Sequence, residues 1–193
     1  MSVFPNITAF KERLLDGGAR PSLFQMMINW PEALRGISRA ALEKLPFQCR
    51  ISEIPGSAVN PIIVKYAGRE IKYAGQRVYQ NLIVTIINDE SYIVRRALEA
   101  WSDVLNTHET NISALGLTAP IGNPQVGYAA DAFVDQYAKV GYRAHTYRFI
   151  DLFPINISPI PLDWSNDATI EEYTCEFAYQ YWEISPVNPF ITF

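Results

Sequence analysis

The segment that decides the fold is Tyr173-Thr174-Cys175-Glu176-Phe177-Ala178-Tyr179-Gln180-Tyr181, in which apolar residues alternate with mostly polar ones. Strict alternation places successive side chains on opposite faces, so it predicts one long, half-buried β-strand. The C-terminal 45 residues around it, 149–193, contain seven acidic residues and no Lys or Arg. A long strand with such a one-sided charge suggests a surface that meets a partner.

The charge asymmetry extends over the whole chain. The formal net charge of −4 combines 16 basic and 13 acidic residues in 1–148 with the seven unbalanced acids of 149–193. This split of +3 against −7 predicts either self-complementary packing or a basic partner for the C-terminal part.

Length and composition indicate one globular domain over residues 1–193, with 49% hydrophobic and 19% charged residues. Within it we expect a long surface loop at 106–125 and a C-terminal extension at 184–193. No apolar run is long enough to span a membrane and no signal peptide is evident, so we expect synthesis in the cytosol. Cys49 and Cys175 are predicted to be buried, reduced thiols.

Hydrophobic periodicity divides the rest of the chain into short elements. The predicted helices are Pro5 to Leu15, a small insertion at 31–45, and an amphipathic helix from Ser91 to Leu105 capped by Asn88 or Asp89. The predicted strands are Leu23 to Trp30, Phe47 to Ile51, 78–87 buried on both faces, Tyr128 to Val140, and Tyr142 to Phe153. A Pro-rich connection at 154–166 precedes the final strand.

Two similar segments, Tyr66-Ala67-Gly68-Arg69-Glu70 and Tyr73-Ala74-Gly75-Gln76-Arg77, lie between the predicted strands. Their glycines, flanked by strand-forming residues, predict a hairpin with an exposed tip. Its cations are Lys65, Arg69, Lys72 and Arg77. With interleaved tyrosines they could contact nucleic-acid phosphates, but an interface hairpin is favoured because the chain as a whole is acidic.

The sequence offers no motif for catalysis. Neither His108 nor His145 has a Cys, Asp, Glu or His at metal-ligand spacing, and nucleophile-elbow, phosphate-loop and dinucleotide motifs are missing. Asp131 and Asp135 imitate a carboxylate pair, but Phe133 between them favours a structural role. We therefore predict no enzymatic activity, no cofactor and no metal.

Several motifs occur together in a characteristic order. They are Ala19-Arg20-Pro21-Ser22-Leu23-Phe24-Gln25, Phe47-Gln48-Cys49, Ala74-Gly75-Gln76-Arg77-Val78-Tyr79, Asn88-Asp89-Glu90, Leu152-Phe153-Pro154-Ile155-Asn156, Leu162-Asp163-Trp164 and Tyr181-Trp182-Glu183. In this order the chain resembles the tail tube proteins of T4-like contractile bacteriophages. It is similar, more distantly, to the haemolysin-coregulated tube protein of type VI secretion systems.

The resemblance implies a mainly β (α+β) fold, a β-barrel or sandwich of two packed antiparallel sheets with one amphipathic α-helix. It implies hexameric rings stacked into a hollow tube, with the tape-measure protein inside, a contractile sheath outside, and baseplate and tail-terminator proteins at the ends. DNA would pass through the lumen without specific binding. The expected location is the virion tail, assembled in the host cytoplasm.

Two alternatives share this fold, namely a baseplate or tube-end protein and a type VI secretion-like tube protein. A small-ligand-binding β-barrel, either an enzyme or a carrier, is a more distant possibility.

The charge split suggests which residues join the rings. As inter-ring stacking residues we predict the hairpin cations Lys65, Arg69, Lys72 and Arg77, with acceptors among Asp163, Asp167 and Glu171. The even-numbered face of the final strand, Glu172, Thr174, Glu176 and Gln180, either lines the lumen, where acidic groups repel DNA, or meets a basic sheath surface. The sequence leaves these two positions open.

Overall fold

A computed structural model describes residues 7–13, 18–31, 34–106, 127–165 and 168–185. The helices in this part are α1 (Ile7–Arg13), α2 (Arg35–Gln48) and α3 (Ile93–Leu105). The strands are β1 (Phe24–Asn29), β2 (Cys49–Ile51), β3 (Ser57–Tyr66), β4 (Arg69–Tyr79), β5 (Leu82–Ile87), β6 (Ala130–Tyr137), β7 (Arg143–Ile157), β8 (Glu172–Ala178) and β9 (Tyr181–Ser185). None of these helices is both long and apolar enough to cross a membrane.

Seven strands form one antiparallel sheet in the order β1-β6-β7-β8-β5-β2, with β9 also paired to β7. The long β7 joins two halves, because its first part pairs with β6 and β9 and its last part pairs with β8. Asp151, at φ 54°, lies between the two parts, and such a backbone bend is where a strand changes direction. The predicted mainly β, barrel-like fold is confirmed, with its two sheets merged into one.

The alternation predicted for the final strand is present in β8. Tyr173, Cys175 and Phe177 are buried in the core, and the residues between them are half-exposed. The strand ends at Ala178, however, and the prediction of a single strand to Tyr181 is wrong. The Gln180 N–H donates to the Ile150 carbonyl at 3.0 Å, after which the chain pairs with β7 as β9.

Helix α3 supplies the centre of the core. Its buried stripe is Val94, Ala97, Leu98 and Trp101. The Trp101 ring lies 5.4 Å from that of Trp30, and its indole N–H donates to the Tyr128 carbonyl at 2.7 Å. This helix therefore joins both halves of the sheet.

The predicted cap of α3 is wrong. The N-cap position belongs to Tyr92, at φ 53°, and carries no side-chain cap. Asp89 instead accepts hydrogen bonds from Lys44 and Ser91, which tie α2 to the start of α3.

Residues 31–45, predicted as an insertion, contribute to the core. Helix α2 buries Ala41 and Leu45 against α3 and β1. The helix continues to Gln48, so Phe47 is helical and the predicted strand begins only at Cys49. Helix α2 is thus part of the core and is not a separate insertion.

The bounds of two strands differ from the prediction, and two predicted segments lie mostly outside the described residues. Strand β5 starts at Leu82 and buries one face only, because Ile83 is substantially exposed. Strand β7 continues through Pro154 to Ile157, so the Pro-rich connection begins later than predicted. The expected 106–125 loop lies outside the described residues except Asn106, as does the 184–193 extension beyond Ser185.

The two cysteines are buried and free, as predicted. Burial raises the pKa of each thiol to about 12, so both remain protonated and poorly nucleophilic near neutral pH.

Candidate assembly surfaces

The predicted hairpin is an arm, residues 57–79, that stands away from the barrel. Among the described strands, β3 and β4 pair only with each other. All ten residues of β3 and nine of the eleven in β4 are exposed. A two-stranded hairpin is at best marginally stable in water, so this arm needs a surface to lie on.

Two local features set the arm's geometry. Ala67 and Gly68 both have positive φ, 48° and 78°, which is the backbone of the tight two-residue turn that hairpins favour. Near the base, a Cβ added to Gly75 would lie 2.3 Å from the Asn60 carbonyl oxygen. Only glycine permits this close approach, where the register of the two strands shifts between Val59 and Pro61.

The arm has an apolar face that the sequence analysis did not foresee. Cross-strand register places the following residues on one face: Ile62 opposite Tyr73, Val64 opposite Ile71, and Tyr66 opposite Arg69. The Tyr66 side chain is 73% exposed at the tip. The other face carries Ile63, Lys65, Glu70 and Lys72. Exposed apolar surfaces of this kind are common at protein interfaces.

The predicted stacking cations all lie on the arm. Lys65 is 3.7 Å from Glu70, an exposed and therefore weak pair. Arg69, Lys72 and Arg77 have no ion-pair partner within the described part of the chain. Their charges are therefore not compensated by the described residues.

The base of the arm is fixed to the barrel by aromatic contacts. The Tyr79 ring lies 6.1 Å from Tyr179 and 6.5 Å from Trp182. The arm therefore leaves the barrel at the Leu82 end of β5, next to the turn between β8 and β9.

Of the predicted acceptors, Glu171 lies at the other end of β5, where its backbone carbonyl accepts from the Asn88 N–H at 2.8 Å. Glu171 accepts hydrogen bonds from Asn88 and Tyr92, both at 2.9 Å, and these bonds lower the pKa of its carboxyl. Asp163 accepts hydrogen bonds from the hydroxyl and the backbone N–H of Ser165. Both bonds, the hydroxyl bond more strongly, lower the pKa of the Asp163 carboxyl. Both carboxylates are therefore ionised near neutral pH, while Asp167 lies outside the described residues.

The acidic face of β8 is partly neutralised within the chain. Glu172 forms an ion pair with Arg50, and Glu176 accepts a hydrogen bond from Asn81 at 2.7 Å. Thr174 lies between them on the same half-exposed face, whereas Gln180 lies beyond the end of the strand in the following turn.

On the other half of the sheet, Arg148 pairs with Asp131 at 2.6 Å and with Glu183 at 3.2 Å. Glu172 and Glu183 thus use basic residues from the N-terminal part of the chain, as the self-complementary interpretation expects.

The two carboxylates that imitate a catalytic pair in the sequence, Asp131 and Asp135, have structural roles. Asp135 is fully buried, accepts a hydrogen bond from Thr146 at 2.5 Å, and lies 3.1 Å from the Arg143 Nε. Asp131 is held by Arg148 instead, so the two carboxylates serve different contacts. Across the described ranges, no group of three His, Cys, Asp or Glu side chains could hold a metal ion.

A packed barrel with an exposed, amphipathic arm is typical of a subunit of a larger structural assembly. Comparison with known families agrees, because the phage tail tube protein family matches residues 19–185, and the chain belongs to that family. It is therefore a structural tail tube protein of a phage, a virion component and not an enzyme.

Individual relatives are distant. The chain is 27% identical over 166 residues to the tail tube protein gp19 of Enterobacteria phage T4, covering 86% of this chain and 91% of that protein. Among solved structures, it is similar to the sheath/tube terminator of the PVC extracellular contractile injection system (TM-score 0.61, 11% identity, 89% and 99% coverage). The sheath-tube complex of the same system gives a TM-score of 0.55 at 9% identity, with 89% and 93% coverage. At such identities these structures support the fold alone.

Proposed function

We propose that this protein forms hexameric rings that stack head to tail into the inner tube of a contractile phage tail. The observation that carries the proposal is the arm, which has an apolar face that none of the described residues of its own subunit covers. In the assembled tail the tube surrounds the tape-measure protein, carries the sheath, joins baseplate and terminator proteins at its ends, and conducts DNA at ejection.

The arm is proposed to lie on the neighbouring ring. β3 has ten residues, so the arm extends about 30 Å at a rise of about 3.3 Å per residue. Burying its large apolar side chains contributes about 1.5–3 kcal/mol for each one that is fully covered. The apolar face therefore supplies most of the binding free energy.

Charge is proposed to set the direction of stacking. The arm cations Lys65, Arg69, Lys72 and Arg77 leave the barrel at one end, and Asp163 and Glu171 lie towards the other, with Asp167 assigned to the same acceptor group. Exposed ion pairs contribute only about 0–1 kcal/mol each, so their role is to favour head-to-tail contact over contact between like ends.

Charge reversal on the arm tests the stacking role. Arg69→Glu with Lys72→Glu should leave the barrel folded while shortening the tubes and lowering their yield in negative-stain electron microscopy. The matched control is Lys11→Glu with Arg39→Glu, which changes the net charge equally on helices α1 and α2. Unchanged tubes in the arm variant would contradict the electrostatic role.

Imaging of the unmodified protein separates the alternatives. Long tubes support a main tube protein. Single rings that never extend indicate a baseplate or tube-end protein, and a monomer with a ligand in an internal cavity indicates a carrier.

The acidic face of β8 needs a separate test. A map of the tube that places Glu176 towards the axis assigns Glu172, Thr174 and Glu176 to the lumen. A position at the periphery assigns them to the sheath contact, with Gln180 at its margin.

A further inference from the structure

A second exposed apolar feature lies in the connection between β7 and β8. This connection exposes Leu162 and Trp164, and the Trp164 side chain is 100% exposed. Asp163, between them, accepts hydrogen bonds from the N–H and hydroxyl of Ser165 at 3.0 and 2.6 Å, which hold the segment in a turn. Tryptophan is among the residues most enriched at the energetic centres of protein interfaces.

A cavity of about 240 Å³ lies beside the base of the arm. Its lining is mainly apolar and consists of Pro21, Phe24, Ser52, Ile54, Val134 and Gln136. Ile54 is 49% exposed and lies where the lining meets solvent. The buried Ser52 hydroxyl has no hydrogen-bond partner within the described part of the chain.

The connection that carries Trp164 is anchored towards one end of β5, and the cavity is reached from the opposite end. The connection carrying Trp164 is anchored at the Ile87 end of β5, because Ser158 bonds to Thr174 and Glu171 bonds to Asn88. The cavity lies at the other end, where the chain leaves β2 through Ser52 and enters the arm. Six residues of β5 separate these ends by roughly 17–20 Å.

We propose that Trp164 of one subunit enters this cavity on the next copy of the chain along the stack. The inference rests on the proposed function, since it requires unlike ends to meet. The charges agree, because Asp163 flanks the indole and Arg77 lies near the base of the arm, on the side of the chain that leads to the cavity. Ser52 supplies the acceptor that a buried indole N–H requires. A projection at one end and a recess at the other form a heterologous contact, which repeats without closing.

Truncation of the projection is the first test. Trp164→Ala should preserve rings and thermal unfolding but raise the concentration needed for stacking at least about tenfold, the loss typical of a central interface tryptophan. Trp164→Phe keeps an apolar ring but lacks the N–H. The concentration that it needs for stacking should lie between those of the wild type and of Trp164→Ala. Phe10→Ala, which truncates a 61% exposed aromatic on α1, serves as the control and should stack normally.

The role of the cavity as the receiving site is tested with the variant Ser52→Phe. The new ring should fill the cavity from within and reduce stacking as much as Trp164→Ala does, without lowering the unfolding temperature. A variant that remains folded with its cavity filled and still stacks normally would overturn the proposal.

Crosslinking determines the direction of the contact. Ile54→Cys combined with Ser165→Cys keeps Trp164 in place, and the native thiols are buried. Oxidation should give a ladder of covalent species extending beyond six subunits, because a column along the tube is open-ended. A ladder that stops at the ring size, or no crosslink, would overturn the axial contact.

The outcomes separate this inference from the proposed function. Normal tubes from Trp164→Ala, with or without loss of sheath binding, overturn the inference and leave the function intact. Wild-type protein that forms neither rings nor stacks overturns both.

Discussion

The barrel and the arm differ in how far their apolar side chains are buried and in how many strands pair with each of theirs. In the barrel, apolar residues such as Trp101, Phe149 and Phe177 are fully buried, and each strand has neighbours. In the arm, apolar residues such as Ile62 and Tyr73 are exposed, and each strand pairs with just one other strand in the described part of the chain. The barrel therefore buries its own apolar residues, whereas the arm would bury its apolar face only in the proposed assembly.

The largest effect is expected in the barrel. Trp101→Ala should lower the free energy of unfolding by about 3–5 kcal/mol, because it leaves a cavity among Trp30, Phe177 and the α3 stripe. Chemical denaturation, followed by far-ultraviolet circular dichroism instead of tryptophan fluorescence, measures this loss. Trp101→Phe, which retains most of the volume, should lose clearly less, and equal losses would contradict a packing role.

The arm should show the reverse behaviour. Ile62→Ser with Tyr73→Ser should change the free energy of unfolding by less than about 0.5 kcal/mol, as surface substitutions do. Stacking should nevertheless weaken by about 3 kcal/mol per subunit if both side chains are covered in the tube. Sedimentation of assembled tubes measures the second quantity, and a destabilised monomer would show that the arm packs on its own barrel.

A smaller effect is expected at the base of the arm. Gly75→Ala should cost about 1–3 kcal/mol of stacking, because the new methyl group meets the Asn60 carbonyl and displaces β4 from its register. Gly36→Ala is the matched control, since a Cβ there has open space. It should be neutral or slightly stabilising in the helix. Equal behaviour of the two variants in stacking and unfolding assays would exclude a steric role for Gly75.

The smallest effect concerns pH and belongs to the barrel. The hydrogen bond from Lys44, followed by that from Ser91, lowers the pKa of Asp89 from 3.8 to about 2. The folded-state pKa is below the unfolded value, so this stabilisation is complete above about pH 4 and is lost as the pH falls towards 2. Asp89→Asn should flatten the decline in unfolding free energy across that window, and an unchanged slope would contradict the assignment.

Much of the barrel was predictable because its signals are local. The alternation of β8 and the apolar stripe of α3 each lie within one element, so periodicity alone located them. The end of β8 was missed because the alternation continues through Tyr179 to Tyr181 although the hydrogen-bonding partner changes. Helix α2 was undervalued because buried Ala41 and Leu45 form only a narrow stripe in a segment rich in charge.

The assembly surfaces were less predictable because they depend on register and distant contacts. The arm's apolar face follows only once the turn is known to be Ala67-Gly68, which sets Ile62 opposite Tyr73. The Arg50–Glu172 pair joins residues 122 positions apart, so the sequence could show the charge imbalance but not its internal compensation. The significance of Trp164 required knowledge of its exposure.

One consequence follows from the arm leaving the barrel at a single end. Any stack of identical subunits in one orientation presents free arms at its first ring and unoccupied acceptors at its last. Such a polymer has no intrinsic length, since every ring is as able to accept a successor as the one before it. Measurement of length and closure of each end must therefore come from other molecules, and the two ends require chemically different ones.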